Sequence, residues 1–180
     1  MDKLIKKFVH HNLSDSNIQK LTDYKYNIVL YQNIPKYKTL NKLLGKNNGV
    51  VILYETEQNI GHWICMWLDI IRNVIMYFDS YGFKPDGEAK FAPFTVNYLA
   101  PYLSQILQKD GRDIDYNHYR LQKWSSKVNT CGRWVAIRLQ FKNLNHEQFH
   151  KLFTNNKLDN DIIITYLTFM NNDEDKLNFD

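Results

Sequence analysis

The sequence has few of the features that mark secreted or membrane proteins. Its two cysteines are too few for a disulfide framework, so we expect a reducing intracellular compartment. No uninterrupted apolar run is long enough to cross a bilayer, and the first residues lack the apolar core and cleavage site of a signal peptide. Glycine and proline are scarce, with 7 and 4 among 180 residues, and no linker or repeat divides the chain. We therefore predict one domain, residues 1–180, with no membrane contact.

The sequence also lacks a large excess of charge of either sign. The formal net charge is +4 and the charged residues are spread along the chain. This distribution permits weak nucleic-acid contact without requiring it. Hydrophobic residues make up 44% and aromatic residues 14% of the sequence, enough for a sizeable core in a chain of this length. Folding should therefore need neither a metal ion nor a disulfide, and we expect no cofactor.

Apolar spacing predicts strands in the middle of the chain and helices around them. The predicted strands are Asn27–Tyr31, Val50–Tyr54, Gly61–Leu68, Val74–Asp79 and His118–Trp124. The predicted helices are a short amphipathic one within residues 1–11, then Ser14–Thr22, Leu40–Leu44, Thr95–Lys109, Asn145–Phe153 and Asp159–Met170. Clustered strands flanked by helices favour an α+β fold over repeating βαβ units.

Cys131 is the candidate nucleophile. Asn129 and Thr130 before it are good helix N-caps, and the positive end of a helix starting there would stabilise a thiolate. The apolar residues of Val135–Phe141, however, also alternate as they would in a strand. Periodicity therefore leaves helix and strand open, and an inert buried cysteine is the structural alternative.

His62 is the candidate base. It opens a predicted strand whose pleat puts Trp63 and Cys65 on the opposite face. Cys65 is therefore assigned to the core rather than to the site. A single histidine beside a tryptophan is more often structural, so His62 needs a partner to support a catalytic role.

Asp79 supplies that partner at the end of the next strand. With a four-residue connection at Ile70–Asn73, Ile64 would lie opposite Asp79 and His62 would be its diagonal neighbour, at a Cα separation of about 7–8 Å. We expect the carboxylate to accept the Nδ1–H of the imidazole and fix its tautomer. Asp69 is the rival carboxylate, and a simple turn-capping role is the alternative for Asp79.

Gln122 is a candidate donor to an oxyanion. It lies nine residues before Cys131, and its side-chain amide could act together with the backbone N–H of Cys131. Most glutamines are solvated surface residues, so spacing alone supports this assignment weakly.

A zinc site competes with this thiol site. His146-Glu147-Gln148-Phe149-His150 matches the H-E-x-x-H pattern, in which two histidines hold zinc and the glutamate acts as base. The motif lies in the first turn of a polar helix, and nothing in the sequence selects a third ligand. A solvated helix explains the same residues, and we expect no metal.

The site motifs together resemble one family of enzymes. In chain order they are Gly61-His62-Trp63, Phe78-Asp79-Ser80-Tyr81-Gly82, Pro85-Asp86, Tyr116-Asn117, Gln122 and Asn129-Thr130-Cys131-Gly132-Arg133-Trp134. They resemble cysteine proteases of the adenovirus-proteinase and SUMO-protease clan, and most closely the adenain-like proteases of giant viruses, virophages and related DNA transposons. Adenovirus proteinase itself has Glu where this chain has Asp79, and a shorter step from Gln to Cys.

The resemblance implies a papain-like core of the adenain type, with a central mixed sheet flanked by helices and the catalytic cysteine at a helix N-terminus. It implies Cys131 as nucleophile, His62 as base, Asp79 as the residue that orients the base, and Gln122 as oxyanion donor. Trp63 would line the substrate groove, although a core role suits it equally.

The resemblance also implies a function. We expect a monomeric cysteine endopeptidase that cleaves capsid or core precursor proteins after a small residue during virion maturation. It would act in the virion, or in the cytoplasm or viral factory of an infected host. Activation by a peptide or by DNA stays open. The alternatives are a protease for SUMO or ubiquitin-like modifiers, the zinc protease, and a non-catalytic structural or DNA-binding protein.

Overall fold

The computed structural model describes residues 2–57, 60–87, 101–154 and 156–170. Its centre is a five-stranded mixed sheet in the order β1-β2-β3-β4-β5. The strands are β1 Asn27–Leu30, β2 Gly49–Glu57, β3 Ile60–Asp69, β4 Val74–Phe78 and β5 Ile114–Tyr116. The three central strands are antiparallel, and each edge strand runs parallel to its neighbour.

Helices surround this sheet, which confirms the predicted α+β class. They are α1 Asp2–Phe8, α2 Asp15–Leu21, α3 Leu40–Leu44, α4 Tyr102–Asp110, α5 Cys131–Gln140, α6 His146–Thr154 and α7 Asn160–Met170. A 3-10 helix, Tyr31–Lys36, follows β1. None of the described helices combines the length and apolar character needed to cross a bilayer. The predicted helical residues 95–100 and the polar tail, residues 171–180, lie outside the described residues.

The two faces of β3 bury different cores. Trp63, Cys65 and Trp67 pack in one apolar cluster with the helix that begins at Cys131. Ile64 and Met66 belong to the cluster on the other face. The predicted alternation, including the core position of Cys65, is therefore confirmed. Helix α5 is buried along residues 131–139, and each large apolar side chain removed from water there contributes about 1.5–3 kcal/mol.

The β3–β4 hairpin fixes the register at the site. Asp69 pairs with Val74, so four residues form the connection, and Cys65 pairs with Phe78. Continued one step past this pair, the register sets Ile64 opposite Asp79, the residue that follows β4, which agrees with the predicted four-residue connection. Asn73 takes a left-handed backbone conformation with φ of 53° at the end of this turn, which asparagine tolerates better than most residues.

The predicted strand His118–Trp124 is wrong. Those residues are irregular, and the fifth strand is instead Ile114–Tyr116, which sequence periodicity did not indicate. The backbone N–H groups of Leu121 and Gln122 both donate to the carbonyl of Ser80, so this segment wraps around one turn instead of pairing in a ladder. Leu121 and Gln122, which are adjacent, are the buried residues of this segment, so the alternation of its sequence does not correspond to one buried and one exposed face.

Candidate active site

Cys131 begins α5, so the helical interpretation is confirmed and the strand alternative is wrong. The residue is 7% exposed, and its Sγ lies 4.0 Å from the carbonyl oxygen of Gly61 at the start of β3. The N–H groups of a first helical turn have no partner within the helix. The thiol therefore lies at the positive end of a buried helix, where negative charge is stabilised.

Two glycines allow close packing around the site, Gly132 between α5 and β3 and Gly61 between β3 and β2. A Cβ on Gly132 would lie 3.1 Å from both Leu13 and Ile18 and 3.3 Å from Trp63. A Cβ on Gly61 would lie 1.9 Å from the carbonyl oxygen of the neighbouring strand, a contact that no side chain permits. The absence of a side chain at Gly132 lets the helix start lie beside the strand that carries His62, and its absence at Gly61 lets that strand lie against β2.

His62 and Asp79 are in direct contact. The Nε2 atom of the imidazole lies 2.9 Å from Oδ1 of the carboxylate, and the two side chains are 9% and 0% exposed. The predicted contact is present, but the predicted nitrogen is wrong, because Nε2 and not Nδ1 faces the carboxylate. The hairpin register fixes which residues meet, whereas the side-chain torsions of His62 decide which nitrogen is presented. Nδ1 is thereby left available to Cys131.

The charge state of His62 reflects its two neighbours. Burial opposes the imidazolium form, but the charge and hydrogen bond of Asp79 outweigh it, and the thiol of Cys131 acts in the same direction. The pKa of His62 is consequently raised well above its ordinary value. The imidazole of His62 therefore interacts with a carboxylate and with a thiol.

Asn117 holds the backbone of Asp79. Its Oδ1 accepts the N–H of Asp79 at 2.9 Å, and its Nδ2 donates to the carbonyl of the same residue at 2.7 Å. The carboxylate Oδ1 of Asp79 also accepts the N–H of Tyr81 at 2.7 Å. Sequence analysis assigned no role to Asn117, although the dipeptide Tyr116-Asn117 contributed to the resemblance. Its geometry makes it a positioning residue for Asp79.

Gln122 lies in the same buried network. Its Oε1 accepts the hydroxyl of Ser80 at 2.7 Å, and its Nε2 donates to Tyr81 Oη at 3.1 Å and to the carbonyl of Val128 at 3.2 Å. The structure thus places Gln122 between the turn after Asp79 and the segment leading to Cys131. Both amide hydrogens are engaged, so donation to an oxyanion would require the exchange of one contact.

Asp161 of α7 joins the two ends of the segment between Gln122 and Cys131. Its Oδ1 accepts the hydroxyl of Thr130 and the indole N–H of Trp134, and its Oδ2 accepts the backbone N–H of Lys123 at 2.9 Å. Burial raises the pKa of Asp161. Sequence analysis missed this residue, since an acidic residue in the first turn of a helix is usually explained by the helix dipole.

Comparison with known proteins gives one close relative. No protein-family model matches the chain. The "Uncharacterized protein V9" of Sputnik virophage is 38% identical over 143 residues, which cover 77% of this chain and 81% of the relative. The chain belongs to the family of this virophage protein. V9 is itself uncharacterized, so membership of the V9 family assigns no chemistry.

Two solved structures are similar to this V9-family chain at much lower sequence identity. The ASFV pS273R protease matches with a TM-score of 0.49 and 14% identity, covering 88% of this chain and 67% of that protein. The Ulp1 protease domain in complex with Smt3, the yeast ortholog of SUMO, matches with a TM-score of 0.41 and 14% identity, covering 92% and 81%.

Trp63 of the V9-family chain lies behind the candidate nucleophile. The side chain is 5% exposed, and its indole N–H donates to the carbonyl of Leu13 at 3.2 Å. It also borders Gly132 at the start of α5. The core role considered for Trp63 is therefore present, and its role in lining a substrate groove stays a prediction.

The two histidines of the H-E-x-x-H motif are engaged separately. His146 is buried against Trp67 and Phe78 and donates from Nε2 to the carbonyl of Asp115 at 3.0 Å. Burial, together with a nearby arginine, lowers its pKa to about 4. His150 stacks on an exposed tyrosine ring at 3.9 Å instead. Within the described ranges, no group of three histidine, cysteine or acidic residues could hold a metal.

Proposed function

We propose that this chain is a cysteine peptidase in which Cys131 is the nucleophile, His62 the general base and acid, and Asp79 the residue that orients His62. One observation carries the proposal. A buried imidazole is held at 2.9 Å by a carboxylate while the same ring interacts with a thiol at a helix N-terminus. These are the three components that a thiol nucleophile requires.

The reaction proceeds through a thioester. Cys131 attacks the carbonyl carbon of the scissile peptide, and His62 transfers its proton to the departing amine. Water then enters, gives a proton to the neutral imidazole, and attacks the acyl-enzyme. The thioester bond breaks, the carboxylic acid is released, and the thiolate–imidazolium pair is restored.

Two donors suit the oxyanion of each tetrahedral intermediate. The backbone N–H of Cys131 belongs to the first turn of α5 and points along the helix dipole. The amide of Gln122 can join it by releasing the hydroxyl of Tyr81, whose ring stacks on His62. Binding of substrate against that ring would permit this exchange.

For substrates we propose capsid or core precursor proteins, cleaved after a small residue during virion maturation. Membership of a virophage family supports a viral role. Both cysteines are free and buried, which suits the reducing compartment of an infected cell. The resemblance of the site motifs to adenain-like proteases supports the substrate class, and we expect the protein to act as a monomer.

Incubation of the protein with the capsid proteins encoded beside it tests this proposal. We expect the wild type to cut at least one of them, whereas Cys131→Ser, which keeps the size of the side chain, leaves them intact. A metal chelator should have no effect. Mass spectrometry of the fragments gives the cleavage site.

Other outcomes separate the alternatives. Cleavage that persists in Cys131→Ser and stops with chelator would establish the zinc protease and contradict the proposal. Labelling of Cys131 by a SUMO or ubiquitin aldehyde, with capsid proteins untouched, would keep the thiol chemistry and replace the substrate class. Intact substrates together with an unreactive Cys131 would leave a non-catalytic protein.

A further inference from the structure

The two proposed oxyanion donors lie at opposite ends of one segment, residues 122–131. Gln122, Thr130 and Cys131 are buried, whereas most of residues 123–127 are exposed. Between Gln122 and the start of α5 the chain forms neither a helix nor a strand. Because no regular element sets the distance between the two donors, contacts with other parts of the chain must set it.

Asp161 contacts both ends of this segment, and each of its carboxylate oxygens serves one end. Oδ2 accepts the backbone N–H of Lys123, the residue after Gln122, at 2.9 Å. Oδ1 accepts the hydroxyl of Thr130, the residue before Cys131. The carboxylate therefore links the chain beside one oxyanion donor to the chain beside the other.

Oδ1 of Asp161 also holds the first turn of α5. It accepts the indole N–H of Trp134 at 3.1 Å, and the backbone N–H of Trp134 donates to the carbonyl of Thr130 at 3.0 Å. Thr130 is the N-cap of α5, where a threonine normally accepts an N–H of the first turn. Its side chain makes no such bond and donates to Asp161 instead. The N–H groups of this turn are thereby left without a side-chain cap and available to an oxyanion.

The burial of this carboxylate needs an explanation other than helix capping. Asp161 is 1% exposed, and no cation of the described residues forms an ion pair with it. The nearest acidic neighbour, Asp159, accepts the backbone N–H of Asp161 at 2.8 Å and so serves the start of α7 itself. A buried carboxylate without a cation is costly unless its oxygens accept several hydrogen bonds. An asparagine has one oxygen, and could serve only one end of the segment.

Resting on the proposed peptidase function, we propose that Asp161 is a positioning residue for the oxyanion site. It fixes the separation between the amide of Gln122 and the backbone N–H of Cys131, and it keeps the start of α5 uncapped. Asp161 acts through the chain beside these donors. Its loss should therefore impair the steps that form an oxyanion and leave the reactivity of the thiol itself unchanged.

Asp161→Asn tests this role by comparing two reactions of one thiol. Hydrolysis of a peptide containing the cleavage site forms an oxyanion, whereas alkylation by iodoacetamide displaces iodide without forming one. We expect kcat for hydrolysis to fall about 10- to 100-fold while KM stays within about threefold, because the donors are displaced and ground-state binding is not. The rate of alkylation of Cys131 at neutral pH should stay within about twofold of wild type.

Asp159→Asn is the matched control in the same turn of α7. Asp159 is exposed, and asparagine can accept the backbone N–H of Asp161 in its place. Both kcat and the alkylation rate should therefore stay within about twofold of wild type in this variant.

Variants of Thr130 give a second test, which also applies if Asp161→Asn does not fold. Thr130→Val removes the hydroxyl that Asp161 accepts and keeps the branched shape, whereas Thr130→Ser keeps the hydroxyl. We expect kcat to fall about fivefold or more in Thr130→Val and to stay within about twofold in Thr130→Ser. Alkylation of Cys131 should be unchanged in both.

The outcomes separate the positioning role from the peptidase function. An unchanged kcat in Asp161→Asn, or in Thr130→Val where Asp161→Asn does not fold, would overturn the positioning role and leave the peptidase intact. Alkylation that slows in parallel with hydrolysis would also overturn it, because Asp161 would then act on the thiol or on the fold. A wild type that cuts no peptide and whose Cys131 is alkylated no faster than Cys65 would overturn both proposals.

Discussion

His62→Ala is expected to lower kcat/KM for peptide hydrolysis by about 10⁴-fold or more, because it removes both the base for the thiol and the acid for the leaving amine. Substrate KM should change much less, since the imidazole is 9% exposed and offers little surface for ground-state binding. Steady-state kinetics on the capsid substrate, or on a peptide containing its cleavage site, provides the measurement.

His118→Ala is the control for His62→Ala. His118 is exposed and its ring lies against Tyr116, on the fifth strand rather than beside the thiol. Its removal should leave kcat/KM within about twofold. Retention of a tenth or more of the wild-type activity by His62→Ala would show that another group performs the proton transfers.

Asp79→Asn is expected to have a smaller effect than Asp79→Ala. Asparagine Oδ1 can still accept the Nε2–H of His62 and the N–H of Tyr81, so the tautomer survives and only the negative charge is lost. An opposite charge at this range shifts a pKa by about one to two units, which corresponds to a loss of about 10- to 100-fold. Asp79→Ala also removes the orienting contact and should cost about 10³-fold or more.

The pH profile identifies the cause of the loss. Asp79 raises the pKa of His62, so removing its charge lowers that pKa and the imidazolium deprotonates at lower pH. The alkaline limb of kcat/KM should therefore move to lower pH in Asp79→Asn. Asp69→Asn is the control, because Asp69 pairs with Arg72 in the hairpin turn and should leave the profile unchanged. A pH profile that moves in Asp69→Asn and not in Asp79→Asn would assign the orienting role to Asp69 and contradict the assignment of Asp79.

Local rules account for the parts of the site that lie on the hairpin. Period-two alternation separates His62 from Cys65, and the length of the turn brings His62 to Asp79. Capping residues likewise predict helix ends such as Ser14 before α2 and Gly111 after α4, where the structure has them. These features depend on residues that are close in the chain or paired in one ladder.

The rest of the candidate site depends on contacts between residues far apart in the chain, which no local sequence pattern encodes. Asn117 reaches Asp79 across 38 residues, and Asp161 reaches Thr130 across 31. Polar side chains of this kind are indistinguishable from surface residues until tertiary structure buries them. The segment 118–124 shows the same limit, since its sequence alternates as in a strand while the N–H groups of Leu121 and Gln122 bond to a single turn carbonyl.

The reactivity of Cys131 toward iodoacetamide, compared with that of Cys65 between about pH 6 and pH 8, tests the central claim most directly. An ordinary thiol loses about tenfold in rate per pH unit below a pKa near 8.5. The thiol paired with His62 should instead vary by less than about threefold over this range, and His62→Ala should restore the ordinary dependence. Cys65, whose pKa burial raises, should stay unmodified in the folded protein. Peptide mapping that finds Cys131 no faster than Cys65, or an ordinary pH dependence in the wild type, would contradict a thiolate–imidazolium pair at this site.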